Sequence, residues 1–402
     1  MLAQFFAPVV GGEERMVENL GVELVRRGHD VALATVKVPG SSEFEVYEGM
    51  RIYRIQSLSS RWPGLFSDHE RPHLPPAPDP EAVGRLKQII EREQPEIVHA
   101  HNWIVHSFVP LKRWSSARLV MSLHDFSFVC ATKRLMYSGE SPCSGPGPMK
   151  CLVCSRRVYG RFKGPSTTLL NWAFATAERR AVDLFLPVSK SVAERSGLPG
   201  SSLPFRVVPN FLPEPRPSQR RMDSLLDQLP DDDYILYVGD LTVDKGVDVL
   251  LDAYDRLRDA PQLVLIGRPH CHALVKNRSG VLVLGVWPHA AVIEARRRCV
   301  VAVVPSVWEE PFGMVALEAM AQGCSVVASR VGGLAELITH EETGLLVRRA
   351  NPVELSAALD RLMKDSTLRD RLGTAASRRA GAFRASNVVP LIERAYEEVC
   401  QA

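Results

Sequence analysis

Short apolar, β-branched runs alternate with stretches of helical period along most of the chain. In the first half the runs are VALATV (31–36), IVHAH (97–101), RLVMSLH (118–124), LFLPVS (184–189) and FRVVPN (205–210). In the second half they are YILYVG (234–239), QLVLIG (262–267), VLVLG (281–285), VVAVVPS (300–306) and SVVAS (325–329). Runs that stay apolar at consecutive positions are expected of parallel strands covered on both faces. Two such series predict two doubly wound α/β domains in tandem. Most runs end in Gly, Ser, His or Asn, so hydrogen-bonding groups fall at the carboxyl ends of strands, where open α/β sheets bind ligands.

Between the two series lies 211–233, with prolines at 213, 215 and 217 and a charged tail, which reads as a linker. The expected division is a first domain over 1–215, a second over 216–385, and a final helix over 386–402 that packs back toward the first. Segment 61–80 holds six prolines and is long for an ordinary connection, so it is either a binding loop or disordered. In the second domain GMVALEAMAQG reads as a helix opening near Gly313 and closing at Gly323, and NPVE (351–354) is a capping signature for another.

Length and composition narrow the partners. A chain of 402 residues exceeds one ordinary core, and 46% hydrophobic with 24% charged residues is a soluble globular balance. A net charge of +3 is too small to make nucleic acid the expected partner. No basic segment leads into a long apolar core and no run of about 18 apolar residues occurs, so the expected location is the cytoplasm.

The candidate chemistry begins with WEEPFGMVALE, which places Glu310 before Pro311 and Glu318 inside the helix that follows. The amides of Gly313, Met314 and Val315 would open that helix and form an anion site suited to a diphosphate, with Gly313 allowing close approach. Side chains lean toward a helix N-terminus, so Glu318 can reach the same mouth. Carboxylates on either side of a diphosphate are suited to accept from hydroxyls, a ribose on one side and a sugar on the other. Spacing alone would equally allow two solvated glutamates.

The stretch PSVWEEPFGMVALEAMAQGCSVVASRVGGLAELITHEETGLLV resembles the nucleotide-sugar region of the retaining glycosyltransferases of family 4. The likeness extends to YVGDLTVDKGVDVLLDAY (237–254), VVPN (207–210) and FFAPVVGGEERMVENLGVELVRRGHDVALAT (5–35), and so spans both domains. It implies the GT-B architecture, two Rossmann-like domains facing across a cleft, with the donor on the second and the acceptor on the first. It further implies that Glu310 accepts from donor sugar hydroxyls, Glu318 from the ribose, and that Lys245 neutralises the diphosphate. The family's usual Arg before that Lys is replaced by Asp240, so either Arg268, Arg330 or another base compensates, or the leaving group is less stabilised. Gly11 and Gly12 match the family's glycine-rich loop. His124 matches a His beside the reacting sugar, with an orienting role. The base would be met by backbone around Gly285 and Val286.

The resemblance implies a glycosyltransferase moving a sugar from a nucleoside-diphosphate sugar to a glycan, lipid-linked or small-molecule hydroxyl. An epimerase or phosphorylase on the same fold, or a non-catalytic binder, are the alternatives. No metal is expected in catalysis, and Asp231–Asp233 read as a solvated turn. Cys130, Cys143, Cys151 and Cys154 end in a C-x2-C pair and could hold a structural zinc, remain thiols or form disulfides. Segment 155–180 mixes Arg and Lys with aromatics, which suits an anionic membrane, a chemistry nucleic acid can also use, or else a packed helix with solvated arginines.

Overall fold

The structure, a computed structural model, describes residues 1–9, 11–58, 74–214, 223–269 and 278–401. Most of the proline-rich 61–80 segment, part of the linker, and Cys271 lie outside these residues. The chain forms two compact units, Met1–Ser138 with Cys143–Pro213 and Ala385–Ala402, and Gly139–Pro142 with Glu214–Arg384.

In the first unit the strands of the two main sheets are β1 (Ala32–Val36), β2 (Phe44–Tyr47), β3 (Met50–Ile55), β4 (Ile97–Ala100), β5 (Arg118–Leu123) and β6 (Leu184–Pro187). They form two three-stranded sheets, β1-β3-β2 and β4-β5-β6. Leu2 bridges Ala34 of one and Ala100 of the other, both parallel, so the N-terminal segment fills the slot between them. The short LAQFF run is thus the central strand position of this unit.

The apolar pattern does not foresee β2 and β3, a hairpin whose turn carries Glu48 and Gly49 at positive φ. Its signal is the alternation FEVYEGMRIY. The 205–210 run forms no strand: Phe205 alone bridges Phe185, although Arg206 and Val208 amides bond to the edge of β6. Pro204 and Pro209 have no N–H to continue a ladder.

The long helices of this unit are α1 (Gly12–Arg26), α2 (Pro80–Glu93), α3 (Pro148–Tyr159), α4 (Lys163–Ala181) and, from the end of the chain, Ala385–Gln401. The last packs on α1, where Arg27 holds Glu393 through two hydrogen bonds of 2.8 and 2.7 Å. Helices α3 and α4 pack closely through Gly164, where a Cβ would stand 2.1 Å from the Ser155 carbonyl oxygen. Glu178 of α4 is buried against His106, their Oε2 and Nε2 3.4 Å apart. On these helices and in the turn between them, Met149, Phe162 and Leu169 are exposed, as are Arg156, Arg157 and Arg161.

The second unit is one parallel sheet built from β7 (Tyr234–Val238), β8 (Gln262–Ile266), β9 (Val281–Val283), β10 (Val301–Val304), β11 (Ser325–Ser329) and β12 (Leu345–Val347). Its order, β9-β8-β7-β10-β11-β12, is that of a dinucleotide-binding sheet, with the switch point between β7 and β10. Alternate residues of β7 divide between two cores: Ile235 and Tyr237 pack with Val247, Leu250 and Leu251, while Tyr234 and Leu236 pack with Trp287, Ala291 and Ala295. No helix among the described residues is long and apolar enough to cross a membrane.

Candidate functional site

In the second unit the polar residues follow the carboxyl ends of adjacent strands. Asp240 comes after β7, Arg268 after β8, Gly285 and Val286 after β9, Ser306 to Glu310 after β10, and Arg330 after β11. Lys245 sits in the turn between β7 and the helix Val247–Tyr254, so it and Glu310 flank the switch point. Gly246, at φ 74°, makes that turn possible; a Cβ there would stand 2.0 Å from the Pro305 carbonyl oxygen.

Lys245 Nζ lies 3.0 Å from Glu310 Oε2 and 3.3 Å from Oε1. The same Oε2 accepts from Ser306 Oγ at 3.1 Å and from Trp308 Nε1 at 2.8 Å, and the ammonium stands 4.5 Å from the centre of the Trp308 ring. The two residues assigned separately to sugar and diphosphate are therefore direct partners. The neighbouring Glu309 faces elsewhere: it is buried, bonds to Arg349 at 2.6 Å and accepts from the Gly332 amide at 3.1 Å, which pins the loop.

After this loop, Gly313 (φ 97°) caps the helix Met314–Ala321. A side chain at this cap would strike Leu334, with a Cβ 2.5 Å from its Cδ2, so only glycine lets the loop close. First-turn amides have no acceptor within their own helix, so those of Met314 and Val315 open toward the loop with the positive end of the helix dipole.

Glu318, on the same helix, is buried between a histidine and an arginine. His289 Nε2 stands 2.9 Å from Oε1, and Arg296 Nη1 stands 2.6 Å from Oε2. Both come from the helix His289–Arg298, and Arg296 is 1% exposed. Each carboxylate oxygen has lone pairs for a further donor, so Glu318 can still receive hydroxyls. Behind Arg296, Cys299 and Cys324 stand with sulfurs 3.9 Å apart and share its carbonyl oxygen as acceptor.

Arg268 and Asp240 are both exposed, on adjacent strand ends tied by the Leu241 amide and the Arg268 carbonyl at 2.9 Å. Arg330 is exposed beyond β11, its amide bonded to Val347 at 2.8 Å. The Gly285 carbonyl accepts from Gly267 at 2.7 Å, and Val286 is 68% exposed. Asp231–Asp233 are exposed ahead of β7.

The first unit gathers a second cluster. Gly11 caps α1, Gly12 opens it, and Glu13 accepts from Asn102 Nδ2. Burial, aided by the charges of Asp125 and Glu14, pushes the Glu13 carboxyl up to about 8. His124 Nε2 stands 3.0 Å from His101 Nδ1, and the His101 ring also lies against that of His99, tilted, with centroids 4.2 Å apart. His99 in turn meets Ser122 Oγ at 2.8 Å and Tyr396 Oη at 2.7 Å. Burial lowers all three imidazoles, His124 to about 4, so they are neutral near pH 7.

Sequence reasoning missed His289, Arg296, Asn102 and His101. Arg296 had a signal, since it falls on the apolar face that Val292 and Ala295 define. The others depend on pairings between distant segments.

Residues 226–379 match the family profile described as Glycosyl transferases group 1, and residues 10–213 that described as Glycosyltransferase Family 4. An uncharacterised glycosyltransferase of Methanocaldococcus jannaschii is 27% identical over 90% of this chain and 87% of its own length. A D-inositol 3-phosphate glycosyltransferase of Jonesia denitrificans is 29% identical over 72% and 68%. Among solved structures, sucrose-phosphate synthase from Thermosynechococcus elongatus superposes with a TM-score of 0.75 at 22% identity, covering 99% of this chain and 98% of that one. HepE of Anabaena in complex with UDP gives 0.69 at 17%, over 99% and 98%. These likenesses show the GT-B fold, with its two Rossmann-like domains.

Proposed function

The chain belongs to glycosyltransferase family 4, and from that premise we propose that it moves a sugar, with retention of configuration, from a nucleoside-diphosphate sugar to a hydroxyl acceptor. The observation that carries this reading is the Lys245–Glu310 pair at the switch point, followed by a helix N-terminus and Glu318. Lys245 and the first-turn amides stabilise the departing diphosphate, where negative charge grows as the glycosidic bond breaks. Glu310 accepts from sugar hydroxyls. Glu318, kept in place by Arg296 and His289, accepts from the ribose, and the backbone at Gly285 and Val286 meets the base.

The acceptor is assigned to the first unit. There neutral His124 orients hydroxyls, and Gly11 and Gly12 let the backbone come close. The acceptor hydroxyl attacks from the face the diphosphate leaves, and its proton goes to the departing phosphate oxygen. Lys245 and the helix supply the positive charge, so the transfer step needs no metal ion. Arg268, on the strand next to Asp240, supplies the charge that the family's Arg would bring.

Incubation with UDP-, ADP- and GDP-glucose and a panel of acceptors, without added Mg2+ or Mn2+, tests the reading. Release of nucleoside diphosphate with an α-linked product supports it, and Lys245→Ala should slow that release. An isomerised nucleotide sugar would point to an epimerase, and, with inorganic phosphate added, consumption of that phosphate to give sugar 1-phosphate as the acceptor's glycosidic bond is cleaved would point to a phosphorylase. Binding without turnover of any donor would leave a non-catalytic role.

The protein is assigned to the cytoplasm, and the exposed apolar and basic side chains of α3, α4 and the turn between them support contact with an anionic membrane, where a lipid-linked acceptor would lie. Co-sedimentation with anionic but not zwitterionic vesicles, lost in Phe162→Asp with Leu169→Asp, checks this. Equal recovery of the wild type with both vesicles would refute it.

A further inference from the structure

Cys130, Cys143, Cys151 and Cys154 all line one small cavity of the first unit, together with Leu135, Met136 and Tyr137. Its volume is about 20 Å3, room for a single water-sized particle. Four thiols are too many for such a space by chance of composition: the chain has eight cysteines, and half of them face this one cavity. All four are free thiols.

The spacing is C-x12-C-x7-C-x2-C. Cys151 and Cys154 stand three apart on α3 and so share a face of the helix. Backbone amides point at both sulfurs: Gly147 N–H donates to Cys151 Sγ at 3.3 Å and Ser138 N–H to Cys154 Sγ at 3.2 Å. Such bonds favour a thiolate and are the outer contacts that metal-bound cysteines take.

The segment between the first two cysteines points the same way. Lys133, Leu135 and Ser138 all hold positive φ, at 65°, 49° and 55°. Backbone of this kind persists only where the surroundings over-determine it. Between Cys130 and Cys154 the regular structure is limited to short strands and the start of α3. A cross-link is the usual means by which so small a module holds its shape.

We propose that the four cysteines bind one zinc ion, which braces the loop that follows His124. The cavity fits one ion and not a multi-atom iron–sulfur cluster, and four sulfurs match the tetrahedral preference of zinc. As placed, each sulfur has a local partner, Thr132 for Cys130 and the Gly145 carbonyl for Cys143, and among the described residues no three metal-binding side chains stand at ligand distance of one another. Metal binding therefore draws the sulfurs inward from the cavity wall, to about 2.3 Å from the ion. Binding releases the thiol protons to solvent, with no change of oxidation state. The brace reaches His124 through one hydrogen-bonded turn: Cys130 N–H donates to Phe126 at 2.8 Å, and Phe126 N–H to Lys133 at 3.1 Å.

The test is elemental analysis of the purified full chain, grown with zinc and desalted. The expected result is about one zinc per chain. An organomercurial thiol reagent should release that zinc in step with modification of the four thiols. Cobalt(II) added after zinc removal should give the intense visible bands of a tetrahedral thiolate site. Cys151→Ser with Cys154→Ser should carry almost no zinc, and where that variant fails to fold, the mercurial release from the wild type decides. Wild type that holds no zinc, takes up none and gives no cobalt bands would overturn the proposal, as would iron with inorganic sulfide in its place.

Discussion

The candidate site of the second unit sets charges in contact with opposite charges, whereas the polar cluster around Glu13 and His124 in the first gathers titratable groups that burial keeps neutral. Lys245 meets Glu310, and Arg296 with His289 meets Glu318. Opposite them in character, Glu13 is pushed up to about 8 and His124 down to about 4, with Asn102 and His101 as their hydrogen-bond partners. The difference suits the two tasks. A leaving diphosphate gathers negative charge and requires fixed positive groups, while a hydroxyl acceptor is neutral and needs orientation by dipoles.

The largest effect should come from breaking the charged side at its most buried point. Arg296→Met leaves Glu318 without its buried cation, and stability measured by chemical denaturation should fall by about 3–5 kcal/mol. Adding Glu318→Leu to that variant should recover much of the loss, since the uncompensated charge is gone, while nucleotide binding stays impaired. Recovery of both would show that Glu318 has no part in binding.

Lys245→Ala comes next. Loss of one charge-assisted contact to phosphate is worth about 1.5–3 kcal/mol, so nucleoside diphosphate affinity by calorimetry should fall roughly 10- to 100-fold. Circular dichroism should show the fold intact, because the lysine is partly exposed.

How much of this was readable in the sequence differs between the two regions in the same way. Glu310, Glu318 and Lys245 stand in short contiguous motifs, and the alternation of strand and helix places them at strand ends. Arg296 and His289 lie outside those motifs and become visible only when their helix packs beside Met314–Ala321. In the first unit, Asn102 and Glu13 are 89 residues apart, a pairing no local pattern encodes. The 205–210 run misled because apolar content alone does not register that Pro204 and Pro209 cannot donate to a ladder.

The neutral side makes a prediction about pH. Glu178 is pushed up to about 8 by burial, so between its unfolded value near 4.5 and about pH 8 the unfolded chain binds fewer protons than the folded one, and stability falls as pH rises. Glu178→Gln should remove that fall and gain stability at pH 8 relative to wild type. His106 and His124, lowered to about 4, act on the other side: their contribution is present above about pH 6.5 and is lost as pH falls toward 4. Melting temperatures across pH 4 to 9 check both slopes.

The smallest effect concerns the departure at Asp240. Asp240→Asn removes an exposed negative charge at the strand ends, and nucleotide affinity should rise by roughly two- to fivefold, more at low salt. Arg268→Ala should lower it by a similar factor.

The central claim is that the second unit's charged cluster binds a nucleoside diphosphate. Thermal unfolding of wild type and Lys245→Ala with UDP, GDP, ADP and dTDP, each in large excess, tests it most directly. A ligand at about 100 times its dissociation constant adds roughly 2.7 kcal/mol. One nucleotide should raise the wild-type melting temperature and raise that of the variant much less. Equal shifts in both proteins, or none in a folded wild type with any of the four, would contradict the account.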